Sequence, residues 1–376
     1  MLLRQGLECQ SALIRRIFFT VRGMSKIVLK RKAPLVSVCI PVYMSEEYLS
    51  SCLESIVKQN FSFFEIIIVD DFSSGKDLNG RDCKKIVKDF IKKNKAVLKE
   101  KKIDLSLIFH ENNKGLFESR RTALYESRGD YIYFADSDDL LLPNCLKSLY
   151  EAAEKSGAQI VQAEADVAFR QKNENGSDGD KKKKESYFLS RQKSVNLIHH
   201  GSLEGEKILS CYLEKKEISS FLWTKLFSRE LLLDALDGIP PLYCTLGEDF
   251  LIFVLAASKA SKYEGIKDLV YTYFIDTGIS SHKTIETIEE WKKVCSVSSV
   301  FSFLSLFLQE NKDGLWSEGC RKEIGKKCFS YLENNIRQWR SSLSPSLKDE
   351  GWKCLEDFWG KDFLEKAKSS LEKEKS

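Results

Sequence analysis

The run FFEIIIVDD, residues 63–71, places four β-branched residues, Ile66 to Val69, directly ahead of two aspartates. A strand with one wet face alternates polar and apolar residues; a short, nearly continuous apolar run is a strand buried on both faces. LVSVCIPVY (35–43), DLSLIFHE (104–111) and YIYFADSDD (131–139) read the same way, and AQIVQAEADVAF (158–169) is a further strand. Between them lie segments with helical spacing. SEEYLSSCLESIVKQN (45–60) carries Leu49, Leu53, Ile56 and Val57 on one face, with Ser45 as the expected N-cap. Residues 82 to about 102 form a lysine-rich helix with Ile86, Val87, Phe90 and Ile91 inward, and 116–128 form a third. PNCLKSLYEAAEKSG (143–157) begins near a proline and stops at a glycine, the usual asymmetry of a helix.

Repeated strand–helix units predict an α/β fold, a mainly parallel Rossmann-like sheet covered by helices. Ligands in such sheets bind beyond the carboxyl ends of the strands, near the switch in strand order. Asp70-Asp71 and the trio Asp136, Asp138 and Asp139 all fall at such ends. Alternation along a strand puts Asp136 and Asp138 on one face with Ser137 opposite. Two carboxylates side by side call for a cation, and hard oxygen ligands suit Mg²⁺ or Mn²⁺ shared with a substrate phosphate.

The rest of the chain is bounded more loosely. Its 376 residues carry a net charge of +4, but residues 1–33 hold eight basic residues against one acid, a surplus of seven, so the remainder carries about −3. A nucleic-acid binder would show a basic stripe on the folded body, so no nucleic-acid partner is expected. Two readings of the tail stand open: a basic amphipathic segment at a membrane surface, or a plain tail with Met24 as the working start. The eleven cysteines show no CxxC pair and no zinc-ligand spacing, which points to a reducing compartment and thiols used as small apolar groups. VCSVSSVFSFLSLFLQ (294–309) is shorter than the ~20 residues a membrane span needs and reads as a buried helix. RQKNENGSDGDKKKKES (170–186) reads as a solvated loop. Residues 187–285 mix helices with short strands. Residues 286–376 are mostly helical, with Trp291, Trp316, Trp339, Trp352 and Trp359 as packing anchors. The expected organisation is a tail (1–33), a nucleotide-binding half (34–150), an acceptor-binding half (151–285) and a helical C-terminal region (286–376).

Five motifs in order, VSVCIPVYMSEEYLSSCLESIVKQ (36–59), FEIIIVDDFSS (64–74), ENNKGLFESRR (111–121), GDYIYFADSDDLLLP (129–143) and LGEDF (246–250), resemble glycosyltransferase family 2, whose members have the GT-A fold. The resemblance is dense over 34–145 and thinner from about 220 to 282. It implies inverting transfer of a sugar from a nucleotide diphosphate, usually UDP-linked, to a hydroxyl. Carried onto this chain, it gives Pro41, Val42 and Tyr43 as the loop framing the base. Asp71 becomes the acid on the uracil edge with Asp70 beside it, and Arg120 a cation near the nucleotide. Ser119-Arg120-Arg121 stands where the family has Ala-Arg-Asn, so Arg121 is an extra cation facing the diphosphate. Asp136 and Ser137 belong to the donor site, and Asp136 and Asp138 to a Mn²⁺ or Mg²⁺ site with His282 as a third ligand. Asp249 is the general base that takes the acceptor's proton, and Glu248 orients it or meets the acceptor. FLWTKLFSRELL (221–232) resembles the W-x-K segment of members that decorate surface polysaccharides, offering Trp223 to an acceptor sugar and Lys225 to a phosphate; core packing is the other reading of Trp223. Phe274 takes a place where many members carry a basic residue. His110, His199 and His200 have no motif support.

The expected function is therefore sugar transfer to a cell-envelope glycan or lipid-linked acceptor, in the cytoplasm or at the inner face of its membrane. A non-catalytic glycan-binding or scaffolding protein on the same fold is the alternative. A phosphatase of the haloacid dehalogenase type also places DxD after a strand, but Asp139 and Leu140 stand where it carries small residues and Thr or Val.

Overall fold

The computed structural model describes residues 34–170, 178–277, 284–311 and 316–373. Strand β1 (Val36–Val42) is buried at every position, as is β2 (Phe64–Asp70), and both pair in parallel. β3 (Asp104–Phe109) extends the sheet beyond β2 and β4 (Tyr131–Phe134) lies on the other side of β1, all in parallel. The order β3-β2-β1-β4 therefore reverses at β1, which makes the crevice beyond the carboxyl ends of β1 and β4 the natural ligand site.

The intervening helices are α1 (Glu46–Val57), α2 (Cys83–Glu100), α3 (Leu116–Glu126) and α4 (Cys145–Ser156). Each agrees with the spacing in the sequence. Gly157 ends α4 in the left-handed conformation, at φ 69°. Ser45 precedes α1 but does not cap it: its hydroxyl is 2.6 Å from that of Ser137, across the crevice.

Beyond β4 the sheet becomes mixed. β5 (Leu140–Leu141) and β7 (Gly201–Glu204) pair antiparallel with the long β9 (Lys262–Phe274), and β6 (Ile160–Ala168) runs parallel to β9. β8 (Lys225–Ser228) sits antiparallel between β4 and β6 and joins the two halves into one nine-stranded sheet. The expected loop at 170–186 is overturned from residue 178 onward, where α5 (Asp178–Val195) begins. A lysine run has good helix propensity but no apolar period to betray it. The far end of α5 explains why it docks. Gln192 and the following Asn196 hydrogen-bond the backbone of Ala165 and Val167, where β6 loses regular register.

Further helices are α6 (Glu206–Ser210), α7 (Arg229–Ala235) and α8 (Glu248–Lys259). The C-terminal region adds α9 (Ile288–Cys295), α10 (Val297–Glu310), α11 (Glu318–Ser341), α12 (Lys348–Trp359) and α13 (Lys361–Lys373). Ile288–Glu310 taken together is long and apolar enough in composition to cross a membrane, with 56% of its most apolar part buried. Val297, Val300, Phe301 and Leu304 share a core with α8, so that apolar side packs against protein. Trp291 is fully buried and donates to the carbonyl of Gly351 at 2.9 Å. The other four C-terminal tryptophans also pack against core clusters.

Candidate active site

β1 ends in Pro41 and Val42, both buried, and the chain leaves the sheet at half-buried Tyr43. From the C-terminal region Lys293 on α9 reaches this point: its Nζ donates to Tyr43 Oη at 2.8 Å. Asp70 and Asp71 close β2 but behave differently. Asp70 accepts from the Ser73 amide, and burial pushes its carboxyl up from the ordinary value. Both oxygens of Asp71 are occupied, by the amides of Lys114 and Gly115 at 2.9 Å and by His110 Nδ1 at 2.6 Å. Its carboxylate therefore anchors the turn that starts α3. His110, unmarked in the sequence, is buried between Asp71 and the Thr122 hydroxyl. Gly115 is needed in that turn: at φ 87° a side chain there would meet the Cys244 carbonyl at 2.9 Å.

Arg120 is the centre of the site. One guanidinium nitrogen lies 2.8 Å from Asp136 Oδ1 and another 2.5 Å from Glu248 Oε1. The group is buried, which opposes its charge, but Asp136 and Glu248 more than offset that and hold it protonated. Burial pushes Glu248 up to about 7, with Arg120 pulling against it and Asp249 adding to it. Glu248 thus positions Arg120. Arg121 points elsewhere, because successive helical residues project about 100° apart. It pairs with Glu118 and donates to the Ile239 carbonyl at 2.6 Å, so it does not face a diphosphate.

The three acids after β4 divide their work. Asp139 faces inward, accepting from the Phe274 amide at 2.8 Å and the Tyr271 hydroxyl at 3.1 Å, and so pins the end of β9. Asp138 faces the crevice, pushed up to about 6 by burial and by Asp136 beside it. The carbonyl of Asp138 accepts from Arg170 at 2.6 Å. The Arg170 guanidinium is flanked by the rings of Phe274, at 4.0 Å, and Tyr48, at 4.6 Å. A cation absent from position 274 is thereby supplied beside it from the end of β6. The motifs gave no sign of this, since Arg170 opens a polar, charge-rich stretch. His282, expected as a third metal ligand, lies outside the described residues.

Asp249 sits in the first turn of α8, where a carboxylate is favoured by the helix dipole. Its Oδ1 accepts from the Phe250 amide at 2.7 Å and its Oδ2 from the Ser220 hydroxyl at 3.1 Å. Ser220 is a second residue the motifs missed. Trp223 and Lys225 are corrections. Trp223 is buried and stacked on Tyr271 and Tyr273 at 4.7 and 5.1 Å, two residues on one face of β9. Lys225 is wholly buried because β8 is an interior strand; its Nζ donates to the Phe221 carbonyl at 2.8 Å and lies over the Phe253 ring. Neither is placed to meet a ligand.

The acids exceed the cations. Among the described residues, Asp136, Asp138, Glu248 and Asp249 outnumber the cations beside them, Arg120, Arg170 and the buried Lys225, and burial, with Asp136 adding to it, pushes the Asp138 carboxyl up to about 6. A divalent cation fits that deficit. A surface cavity of about 430 Å³ lies elsewhere: Phe61, Ser62 and Lys101 line it at the amino ends of β2 and β3, away from these groups.

The family profile described as Glycosyl transferase family 2 matches residues 37–213. Glycosyltransferase GlyG of Streptococcus pneumoniae serotype 4 is 29% identical over 127 residues, 34% of this chain and 38% of that one. Putative glycosyltransferase EpsH of Bacillus subtilis is 25% identical over 84% of this chain and 80% of its own. The chain thus spans well under half of GlyG but most of EpsH. Among solved structures, S. aureus TarS 1-349 in complex with UDP-GlcNAc superposes at TM-score 0.48 with 18% identity, covering 89% of this chain and 92% of that one. The mannosyltransferase PcManGT of Pyrobaculum calidifontis, in complex with GDP-Man and Mn²⁺, superposes at 0.47 with 14% identity, over 97% and 95%.

Proposed function

Residues 37–213 belong to glycosyltransferase family 2, and from that premise we propose that the chain moves a sugar from a nucleoside diphosphate, UDP in the first instance, to a hydroxyl with inversion. The observation that carries this reading is the Arg120 bridge, which ties the acids after β4 to the ED pair of α8 within one crevice. The donor's diphosphate lies across the ends of β1 and β4. Tyr43 and Asp70 frame the base, and Arg170 offers its guanidinium to the leaving group. Asp138, with Asp136, would hold a Mn²⁺ or Mg²⁺ ion, which when bound neutralises the departing diphosphate.

Asp249 takes the proton. The acceptor oxygen forms its bond to the anomeric carbon as the carbon–oxygen bond to the diphosphate breaks, and the hydroxyl proton passes to the Asp249 carboxylate. Ser220 and the Phe250 amide fix that carboxylate's orientation, which a poor nucleophile requires. The acceptor is a cell-envelope glycan or lipid-linked precursor at the inner face of the cytoplasmic membrane. Support for that placement is the basic surplus of residues 1–33, which suits an anionic surface.

Replacing Asp249 by Asn tests the assignment. Transfer should fall by a factor of about 10²–10⁴, the usual contribution of a general base, while metal-dependent binding of the nucleotide stays at the wild-type level. Full transfer by that variant would remove Asp249 from the mechanism. Nucleotide binding by the wild type without transfer, across a donor and acceptor panel, would favour the scaffolding alternative.

A further inference from the structure

Away from the crevice, His199, Cys211 and Glu217 bring an imidazole nitrogen, a sulfur and a carboxylate oxygen within 4.8 Å of one another. His199 Nδ1 lies 2.9 Å from Glu217 Oε2, and Cys211 Sγ lies 3.2 Å from the same oxygen. We propose that these three side chains are a binding site for a zinc-class divalent metal ion, separate from the acids after β4.

The backbone is wound to produce this meeting. Cys211 opens a π-turn, Cys211–Lys215, instead of continuing α6. Its carbonyl accepts from the amides of both Lys216 and Glu217, and Lys216 adopts φ 58°. In an uninterrupted α-helix, residues six apart point to different sides. Here the turn folds Glu217 back over the Cys211 side chain. The His199 segment is held just as firmly. The Ser219 amide donates to the Leu197 carbonyl at 2.8 Å. Only glycine fits at 265, where a Cβ would lie 1.9 Å from the His199 carbonyl oxygen. Such π-turns are frequent at functional sites.

The donor chemistry selects the ion. A nitrogen, a thiolate sulfur and one carboxylate oxygen form a zinc-type set, unlike the all-oxygen crevice. In a tetrahedron with bonds of about 2.0–2.3 Å the ligand atoms stand roughly 3.3–3.8 Å apart, so small side-chain rotations close the geometry around an ion. On binding, the Cys211 thiol gives its proton to solvent. Thiolate, carboxylate and neutral imidazole then balance a double positive charge. Cys211 is buried, whereas the His199 and Glu217 side chains are partly open to solvent, which provides an entry path and leaves the fourth position to water. A bound ion would staple the segment 211–221, whose Ser220 hydroxyl reaches Asp249.

Zn²⁺ is titrated into the full-length, chelator-stripped, reduced chain and the bound metal is counted. Co²⁺ is used in parallel, for the sulfur-to-cobalt charge-transfer band that only a thiolate ligand gives. The expected result is one tight Zn²⁺ that persists in Asp138→Asn, a charge-transfer band lost in Cys211→Ser, and a zinc-induced rise in Tm lost in His199→Gln. His199 is partly exposed, so its variant keeps the test valid if the Cys211 variant fails to fold. Affinity should fall by more than the roughly 10–100-fold that losing an outer-shell partner costs. Undiminished Zn²⁺ affinity in His199→Gln, or no zinc-dependent band or Tm shift in the wild type, would overturn the site.

Discussion

Arg120 and Glu248 stand 2.5 Å apart with both side chains buried, and the same guanidinium reaches Asp136 at 2.8 Å. One cation thus links the end of β4 to the helix that carries Asp249. Lysine at 120 keeps the charge but cannot fork between two carboxylates. Arg120→Lys should cost about 1–3 kcal/mol in urea unfolding, the penalty for leaving a buried polar group unpaired, and should lower kcat more than it raises the donor KM. Arg120→Met, which strands the buried Glu248 and the part-exposed Asp136, should cost about 3–5 kcal/mol. Equal stability of the lysine variant and the wild type would show that the bridge holds nothing in place.

Asp138 makes the site sensitive to pH in a definite direction. Its folded carboxyl titrates at about 6, above the ordinary 3.8, because burial and Asp136 disfavour its charge. Metal must displace that proton, so Mn²⁺ affinity should weaken towards tenfold per pH unit below about pH 6. Stability of the metal-free protein moves the opposite way. Between the two values the folded state binds more protons than the unfolded one, so the contribution is fully present below pH 3.8 and is lost as pH rises through 6. Asp138→Asn should therefore raise the metal-free Tm at pH 7 while abolishing the Mn²⁺-induced shift. A lower Tm would mean that the aspartate is already satisfied without an ion.

The first four strands were legible because each is a short, largely apolar run, and their order placed Asp136 and Asp138 at the carboxyl end of β4; it was the ordered motifs, not periodicity, that singled those acids out. What pattern could not give was direction. Trp223 and Lys225 lie in a recognisable segment, yet whether they face a ligand depends on β9 and α8, far off in the chain. Arg121 looks like a second Arg120 until the helix turns it through about 100°. Arg170 and Ser220 were invisible for the opposite reason: each is an ordinary polar residue in a turn, given meaning only by what the fold sets beside it. His199 lacked a motif because its neighbours Cys211 and Glu217 are gathered by a π-turn.

Arg170 should bear on the leaving group. It is held between Tyr48 and Phe274 and bonds the Asp138 carbonyl, which fixes a cation beside the acids after β4. Arg170→Ala should weaken nucleoside diphosphate binding about tenfold, the lower end of a charge-assisted hydrogen bond, and leave binding of the bare nucleoside nearly unchanged. Calorimetric titration with both ligands measures the difference. Equal losses for the two would assign Arg170 to packing.

Lys225 should act on catalysis without touching a substrate. Its Nζ is bonded to the Phe221 carbonyl at 2.8 Å and lies 3.4 Å from the Ser219 hydroxyl, so it fixes both ends of the short turn whose middle residue, Ser220, orients Asp249. Burial drives its pKa well below the ordinary 10.5, against the pull of the Asp249 charge. The folded state then binds fewer protons than the unfolded one above that depressed value, and stability should climb as pH rises towards 10.5. Lys225→Met fills the space but removes one of the two donors to the Phe221 carbonyl, leaving the Thr224 hydroxyl at 2.9 Å, and should cost about 0.5–1.5 kcal/mol. It should flatten the alkaline rise in stability and lower kcat with the donor KM unchanged, and Lys225→Gln, which restores a donor, should recover part of kcat. If stability falls while kcat holds, Ser220 keeps its place without the lysine, and the turn, not its buried amine, positions Asp249.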